Sequence, residues 1–493
     1  MTDRRPSARQ EKRRYSAPED QSEDPGVVDV PDEHRVESRS YSKDISRVKK
    51  LKHLFLIGTV IFSGLLICLF LFYKPSRRPN IVLVLVDALR ADHLGAYGYE
   101  RNTTPVLDRF ARENVLFTRA VSASNWTPVS IASTFTGLYA ASHGMVPPTH
   151  NAAAAHTVRL SENFDTLAEI LKRGGYQTAA VITNAWLKKE FGYAQGFDTY
   201  ESMRRGTANT VTESAAKILA KLQKKKAPFF LYLHYLDPHE PYEPPPPYNS
   251  LFQGPLRNGR HSAKIEEKSG LYDGEIRFAD MEIGKFFEEL RRRNLYKDAF
   301  IIVSADHGEQ FGERGYQGHH DRLYAEETHV PLIMKSGESP HEVRETVSNI
   351  DIYPTIIGAA HVAIPADTLA VSLREEDRLR KRSGVISESF QKYHHKAFVT
   401  GEGKKIIMDF GSPYKPENQD FERTMAAARV EGLFDLDRDP LEQAPLKNER
   451  LENDLRKELE TILRLALRQR KDLQKGKISA ETLEELKSLG YLK

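Results

Sequence analysis

With 493 residues the chain can bury a core well beyond the marginal size and still carry appendages. Its 72 basic and 69 acidic residues are intermixed and leave a net charge of only +3, which argues against a nucleic-acid partner. Cys68 is the single cysteine, so an internal disulfide and a thiolate metal cage are both excluded, and any metal must be held by oxygen and imidazole ligands.

Residues 1–53 are rich in Arg, Glu, Asp, Ser and Pro with almost no apolar periodicity, the composition of a disordered tail. Leu54 to Tyr73 is a 20-residue run without a charge, the length that crosses about 30 Å of hydrocarbon as a helix. Arg39, Lys43, Arg47, Lys49, Lys50 and Lys52 precede it against Lys74, Arg77 and Arg78 after it, a bias toward a cytoplasmic N-terminus. The expectation is a single-pass protein of the cell membrane whose remaining residues face the periplasm or the outside.

After a short linker, strands predicted at 81–86, 177–183, 228–235, 299–304 and 330–334 alternate with helices at 105–113, 129–138, 162–174, 210–225 and 271–294. That alternation predicts an α/β core over residues 79–365, with a mainly parallel sheet flanked by helices. Beyond it, shorter strand candidates at 396–400 and 404–409 suggest a small α+β subdomain over 366–445. Residues 446–493 read as helices, a charged one at 447–475 and a short one at 480–489 with Ser479 as its N-cap. A proline-rich segment at 240–248 and a polar, glycine-containing one at 253–270 are candidate walls of a pocket.

Open parallel sheets place ligands beyond the carboxyl ends of their strands, and there the chain puts acids and imidazoles. The run 81–86 ends in Asp87; 228–235 leads to Asp237 and His239; 300–305 runs into Asp306 and His307; His319 follows in a glycine-rich loop. An adjacent carboxylate and imidazole suit zinc or manganese. Thr127-Pro128 opens a helical stretch and reads as an N-cap with proline at the first helical position. A Thr oxygen there would also face the positive end of the helix, where a nearby cation would make it more acidic toward an anionic substrate. His234, inside a strand run, reads as structural, whereas His239, His319 and His320 lie in loops where packing explains them less well.

Several segments resemble the sulfatase branch of the alkaline-phosphatase superfamily. They are Pro79-Asn-Ile-Val-Leu-Val-Leu-Val-Asp87, Thr136-Gly-Leu-Tyr139 with His143-Gly144, Gly196-Phe-Asp198, and Pro238-His-Glu-Pro-Tyr242. Further along come Asp306-His-Gly-Glu309 with Gly318-His319, Asp351-Ile-Tyr-Pro354, Leu433-Phe-Asp-Leu-Asp-Arg-Asp-Pro440 and the ending Leu486-Lys-Ser-Leu-Gly-Tyr-Leu-Lys493. The resemblance implies an alkaline-phosphatase-like fold, a metal held by Asp87, Asp306 and His307 together with the nucleophile oxygen, and contacts of His239 and His319 with the substrate anion and leaving group. The family's spacing back from Thr136 lands on Thr127. Sulfatases carry Cys or Ser there, in a motif continuing to Pro, Ser and Arg, so that it can become formylglycine. Thr127-Pro-Val-Ser-Ile131 allows no formylglycine.

A formylglycine hydrate expels sulfate by collapsing to its aldehyde, an exit that a threonine ester lacks. The ester must instead be cleaved by water attacking the central atom, a two-step route that resembles that of the Thr- and Ser-dependent phosphatases and phosphotransferases of the superfamily. Ala88 in place of the second Asp of the usual pair, and His307 in place of the usual Asn, make a calcium-type oxygen cage less expected than a transition-metal site. The reading is therefore a membrane-anchored hydrolase or transferase of a phosphate-type ester, its substrate an anionic ester such as an envelope lipid or glycan. The alternatives are a sulfate-ester hydrolase using unmodified Thr, and an inactive binding module.

Overall fold

The computed structural model describes residues 37–72, 78–146, 157–204, 206–254, 262–319, 322–365, 368–390, 394–411, 421–471, 474–476 and 479–488. Residues 1–77 and 78–493 form two separate compact units. The first contributes a helix, Glu37–Phe72, whose described apolar side chains from Leu51 to Leu65 are exposed. Among the described residues no helix is long and apolar enough to cross a membrane. The expected span is thus not found there; it is helical through Phe72, but its side chains beyond residue 65 lie outside the described residues.

The second unit is built on an eight-stranded sheet. Its strands in chain order are β1 (Ile81–Val86), β2 (Val115–Phe117), β3 (Gln177–Ile182), β4 (Thr199–Ser202), β5 (Phe229–Tyr235), β6 (Phe300–Ala305), β7 (Leu332–Lys335) and β8 (His341–Val343). Across the sheet they run β8-β2-β7-β6-β1-β5-β3-β4. Pairings among β6, β1, β5, β3 and β4 are parallel, and β7 alone runs against its neighbours β6 and β2. Strands covered on both faces carry unbroken apolar runs, which is why every residue of β1, β5 and β6 is buried. The register sets Val86 of β1 opposite both Tyr235 of β5 and Ala305 of β6, so the three central strands end level.

The helix Thr127–Thr136 is buried throughout its length. Ser130 Oγ donates to Asp306 O at 2.6 Å, and Asn349 Nδ2 reaches both Ser130 Oγ at 3.2 Å and Ala305 O at 3.1 Å, pinning the helix to the end of β6. Gly137 stops the helix with a φ of 68°, and a Cβ there would lie 2.6 Å from Tyr353 Cδ1, so both conformation and space require glycine.

A second, four-stranded antiparallel sheet is formed in order by Gly384–Ser389, His395–Thr400, Lys404–Asp409 and Arg429–Asp435, the first and last of which were not among the predicted strands. The helix Glu449–Arg468 buries Leu455, Leu459, Leu463 and Ala466 in the core shared with this sheet. Its edge reaches the segment before Thr127, where Ser124 Oγ donates to Glu388 O at 2.7 Å. In the short helix Ala480–Ser488, Ser479 accepts the Thr482 N–H at 3.1 Å, the expected cap.

Candidate metal and catalytic site

Because β1 and β6 are in register, Asp87 and Asp306 leave the sheet side by side. Asp306 Oδ1 accepts the N–H groups of His307 at 2.9 Å and Ala88 at 3.2 Å. Ala88 does so from a φ of 55°, a left-handed turn that costs a residue with a Cβ some strain. One ligand atom from each of Asp87, Asp306 and His307 lies within 4.8 Å of the other two, and all three residues are fully buried. His307 Nε2 is 3.6 Å from Asp87 Oδ1 and 3.6 Å from Asp306 Oδ2.

Three observations show that this trio fits a cation. His307 Nδ1 donates to the Gly308 carbonyl at 2.9 Å, so Nε2 turns its lone pair toward two carboxylates. Asp306 Oδ2 is buried without a hydrogen bond. Burial, and then the charge of Asp306, push the Asp87 carboxyl well above the usual carboxylate range. A positive ion between the three would reverse each of these costs.

Thr127 is where the expectation needs correction. The N-cap position belongs to Trp126, in extended backbone; Thr127 is the first helical residue and Pro128 the second. The Thr127 hydroxyl turns to stronger acceptors than its own helix: Oγ1 lies 3.4 Å from Asp87 Oδ1, to which it donates, and 3.2 Å from His307 Nε2. The helix still aims its positive end at the same place.

The other predicted residues gather as follows. The His319 ring sits 4.3 Å from that of His307 and 5.0 Å from that of His239, edge to face with the latter. Burial first, then the neighbouring His307 and His239, push the His319 imidazole well below its ordinary value, which favours the neutral ring. His234 lies under the site, Nε2 at 3.8 Å from Asp87 Oδ2, and burial pushes it down to about 4. Asp237 is not among the clustered ligands, and burial pushes it up to about 6. His320 lies outside the described residues.

Sequence reasoning missed three participants. Asn184 Nδ2 donates to Asp87 Oδ2 at 2.7 Å and to Thr127 Oγ1 at 3.3 Å. It follows β3 as Asp87 follows β1, and that shared position was the signal available. Glu309 and Tyr242 stand in line behind His319: Glu309 Oε1 is 2.9 Å from His319 Nδ1, and its Oε2 accepts the Tyr242 hydroxyl at 2.7 Å. They stand inside two of the family-like motifs, but nothing in the spacing pairs them.

The sulfatase family profile matches residues 79–362, more than half of the chain. The chain belongs to the sulfatase family. It is accordingly a hydrolase of the alkaline-phosphatase-like superfamily that acts on ester bonds. An arylsulfatase of Clostridium perfringens is 23% identical over 458 residues, which cover 75% of this chain and 90% of that one. Among solved structures, BT4656 with its substrate D-glucosamine-2-N,6-O-disulfate superposes with a TM-score of 0.64 at 18% identity, covering 80% of this chain and 98% of that one. The phosphonate monoester hydrolase of Agrobacterium radiobacter superposes at 0.61 and 19%, covering 80% and 96%.

Proposed function

We propose that the protein is a metal-dependent hydrolase in which the unmodified Thr127 hydroxyl attacks a phosphate-type ester, with transfer to an acceptor alcohol as a variant of the second half-reaction. The observation that carries this reading is the position of Thr127 Oγ1, within reach of Asp87 and His307 at a helix N-terminus. A divalent cation held by Asp87, Asp306 and His307, zinc or manganese by the character of these donors, would supply positive charge that acidifies the adjacent hydroxyl and offsets the substrate's negative charge.

The chain's own groups account for the rest. Asn184 holds Asp87 through one oxygen and reaches Thr127, fixing the nucleophile against the carboxylate. The oxygen of Thr127 bonds to the central atom as the bond to the leaving oxygen breaks, and its proton passes to that departing oxygen, which His319 and His239 flank. Water, or an acceptor alcohol, then attacks the same central atom and releases Thr127. The exposed apolar side chains between Leu54 and Leu65, at the start of the uncharged run to Tyr73, support anchoring at the cell membrane with the catalytic unit on the periplasmic or outer side.

A second reading, sulfate-ester hydrolysis by the same unmodified Thr127, is favoured by the arylsulfatase relative and by BT4656 with its disulfated sugar. The phosphonate monoester hydrolase keeps phosphorus esters in view on the same fold. Turnover of matched aryl phosphate, aryl phosphonate and aryl sulfate by the full chain with zinc or manganese separates the two. Thr127→Ala is expected to abolish it, since removing a covalent nucleophile leaves only the residual catalysis of the surrounding groups. Unchanged turnover in that variant would rule the mechanism out.

A further inference from the structure

We infer that Glu309, clamped by Tyr242, is a positioning residue that fixes the Nδ1–H tautomer of His319 and so makes Nε2 the atom that exchanges protons with the substrate. This rests on the hydrolase reading for its chemistry but on geometry alone for its placement. Glu309 is fully buried and is not one of the clustered metal-ligand candidates. Its Oε1 is 2.9 Å from His319 Nδ1, and its Oε2 accepts the Tyr242 hydroxyl at 2.7 Å. Burial, and then the charge of Glu309, push the Tyr242 phenol well above its ordinary value, so it stays a proton donor.

The clamp is held from behind. Arg90 Nη1 donates to the Glu309 carbonyl at 3.0 Å, and Tyr242 packs edge-on against Tyr272 and Phe311. Gly308 passes so close to Glu326 O that a Cβ would lie 2.1 Å from it, which leaves this loop no room to shift. With both carboxylate oxygens accepting, His319 must present N–H at Nδ1, and Nε2 becomes the working nitrogen. In the reaction the neutral ring accepts at Nε2 the proton released by Thr127 as its oxygen bonds to the central atom, and passes it to the leaving oxygen as that bond breaks. In the second half-reaction it takes a proton from the attacking water and returns it to the Thr127 oxygen as the ester breaks, so the ring begins and ends each half-reaction as the Nδ1–H tautomer.

The clamp makes an unusual prediction for Glu309→Gln. The Tyr242 hydroxyl, which donates to this position in the natural protein, draws the amide oxygen and so turns the NH2 group toward His319. The ring must then offer a lone pair at Nδ1 and carry its proton on Nε2, the wrong tautomer. Removing the hydroxyl as well lets the amide turn over, with its oxygen toward Nδ1. So E309Q is expected to lose roughly 10²- to 10⁴-fold in kcat with little change in KM, and the double variant E309Q/Y242F to recover about tenfold or more of that loss.

A second readout needs no turnover. In 15N-histidine NMR spectra of the full chain, with the His319 signals assigned by their absence in His319→Gln, His319 is expected as the Nδ1–H tautomer in the natural protein. It is expected as Nε2–H in E309Q. A double variant no better than E309Q, or one tautomer shared by both proteins, would overturn the inference. If the natural protein turns over no ester at all, the hydrolase reading fails, and the NMR comparison still decides the role of Glu309.

Discussion

Two sets of buried carboxylates in this molecule are equally hidden from water and differently equipped. Asp351 takes two parallel bonds from the Arg382 guanidinium at 2.8 Å each, and the N–H groups of Ser348 and Val371 at 2.8 Å each. Asp87 and Asp306 have a neutral amide, a weakly placed hydroxyl and two backbone N–H groups between them. Among the described residues only histidines stand within ion-pair distance of either. Burial alone therefore does not mark a functional acid. What separates the two is whether the fold itself supplies the opposite charge.

The comparison is broken most severely at the paired carboxylate. Arg382→Met leaves Asp351 buried without its cation and is expected to cost about 3–5 kcal/mol, the same with or without added metal, in denaturant melts. A loss that metal reverses would mean that the two sets are not separate. Next in size is the gain at the unpaired set. Zinc or manganese at a hundredfold excess over its Kd is expected to stabilise the natural protein by about 2.7 kcal/mol and Asp87→Asn hardly at all, in thermal melts with and without chelator.

The smallest effect concerns the metal-free protein. The folded state holds the Asp87 proton at a pH where the unfolded chain has lost it, so stability falls as pH rises from the ordinary carboxyl value through the raised one. Asp87→Asn removes that slope. At alkaline pH the metal-free variant is expected to be more stable than the natural protein, a difference that vanishes in acid. An unchanged slope would show that Asp87 carries no such cost.

Much of this was legible in the residues because a fully buried parallel strand has an unmistakable composition. The runs before Asp87 and Asp306 could hardly be anything else, and their shared register then brings the two acids together. Strand direction is another matter: an apolar run has the same composition either way, and β7 turned out antiparallel to β6. The Thr127-Pro128 pair was mistaken for a cap because local pattern carries no knowledge of acceptors that arrive from distant segments. Asn184 went unnoticed since an Asn after a strand ordinarily closes a turn. The partnership of Glu309 with Tyr242 depends on the fold of a loop that has no periodic signature.

Thr127 lies 40 residues from Asp87 and 180 from His307 along the chain. No early folding intermediate built on local contacts can therefore assemble the site, since each closure of so long a loop comes late and only with the sheet complete. An ion offered to the nascent polypeptide meets isolated carboxylates with little hold on it. A metal at this site would thus be chosen from the ions present where folding finishes, since the ligands are not together before then.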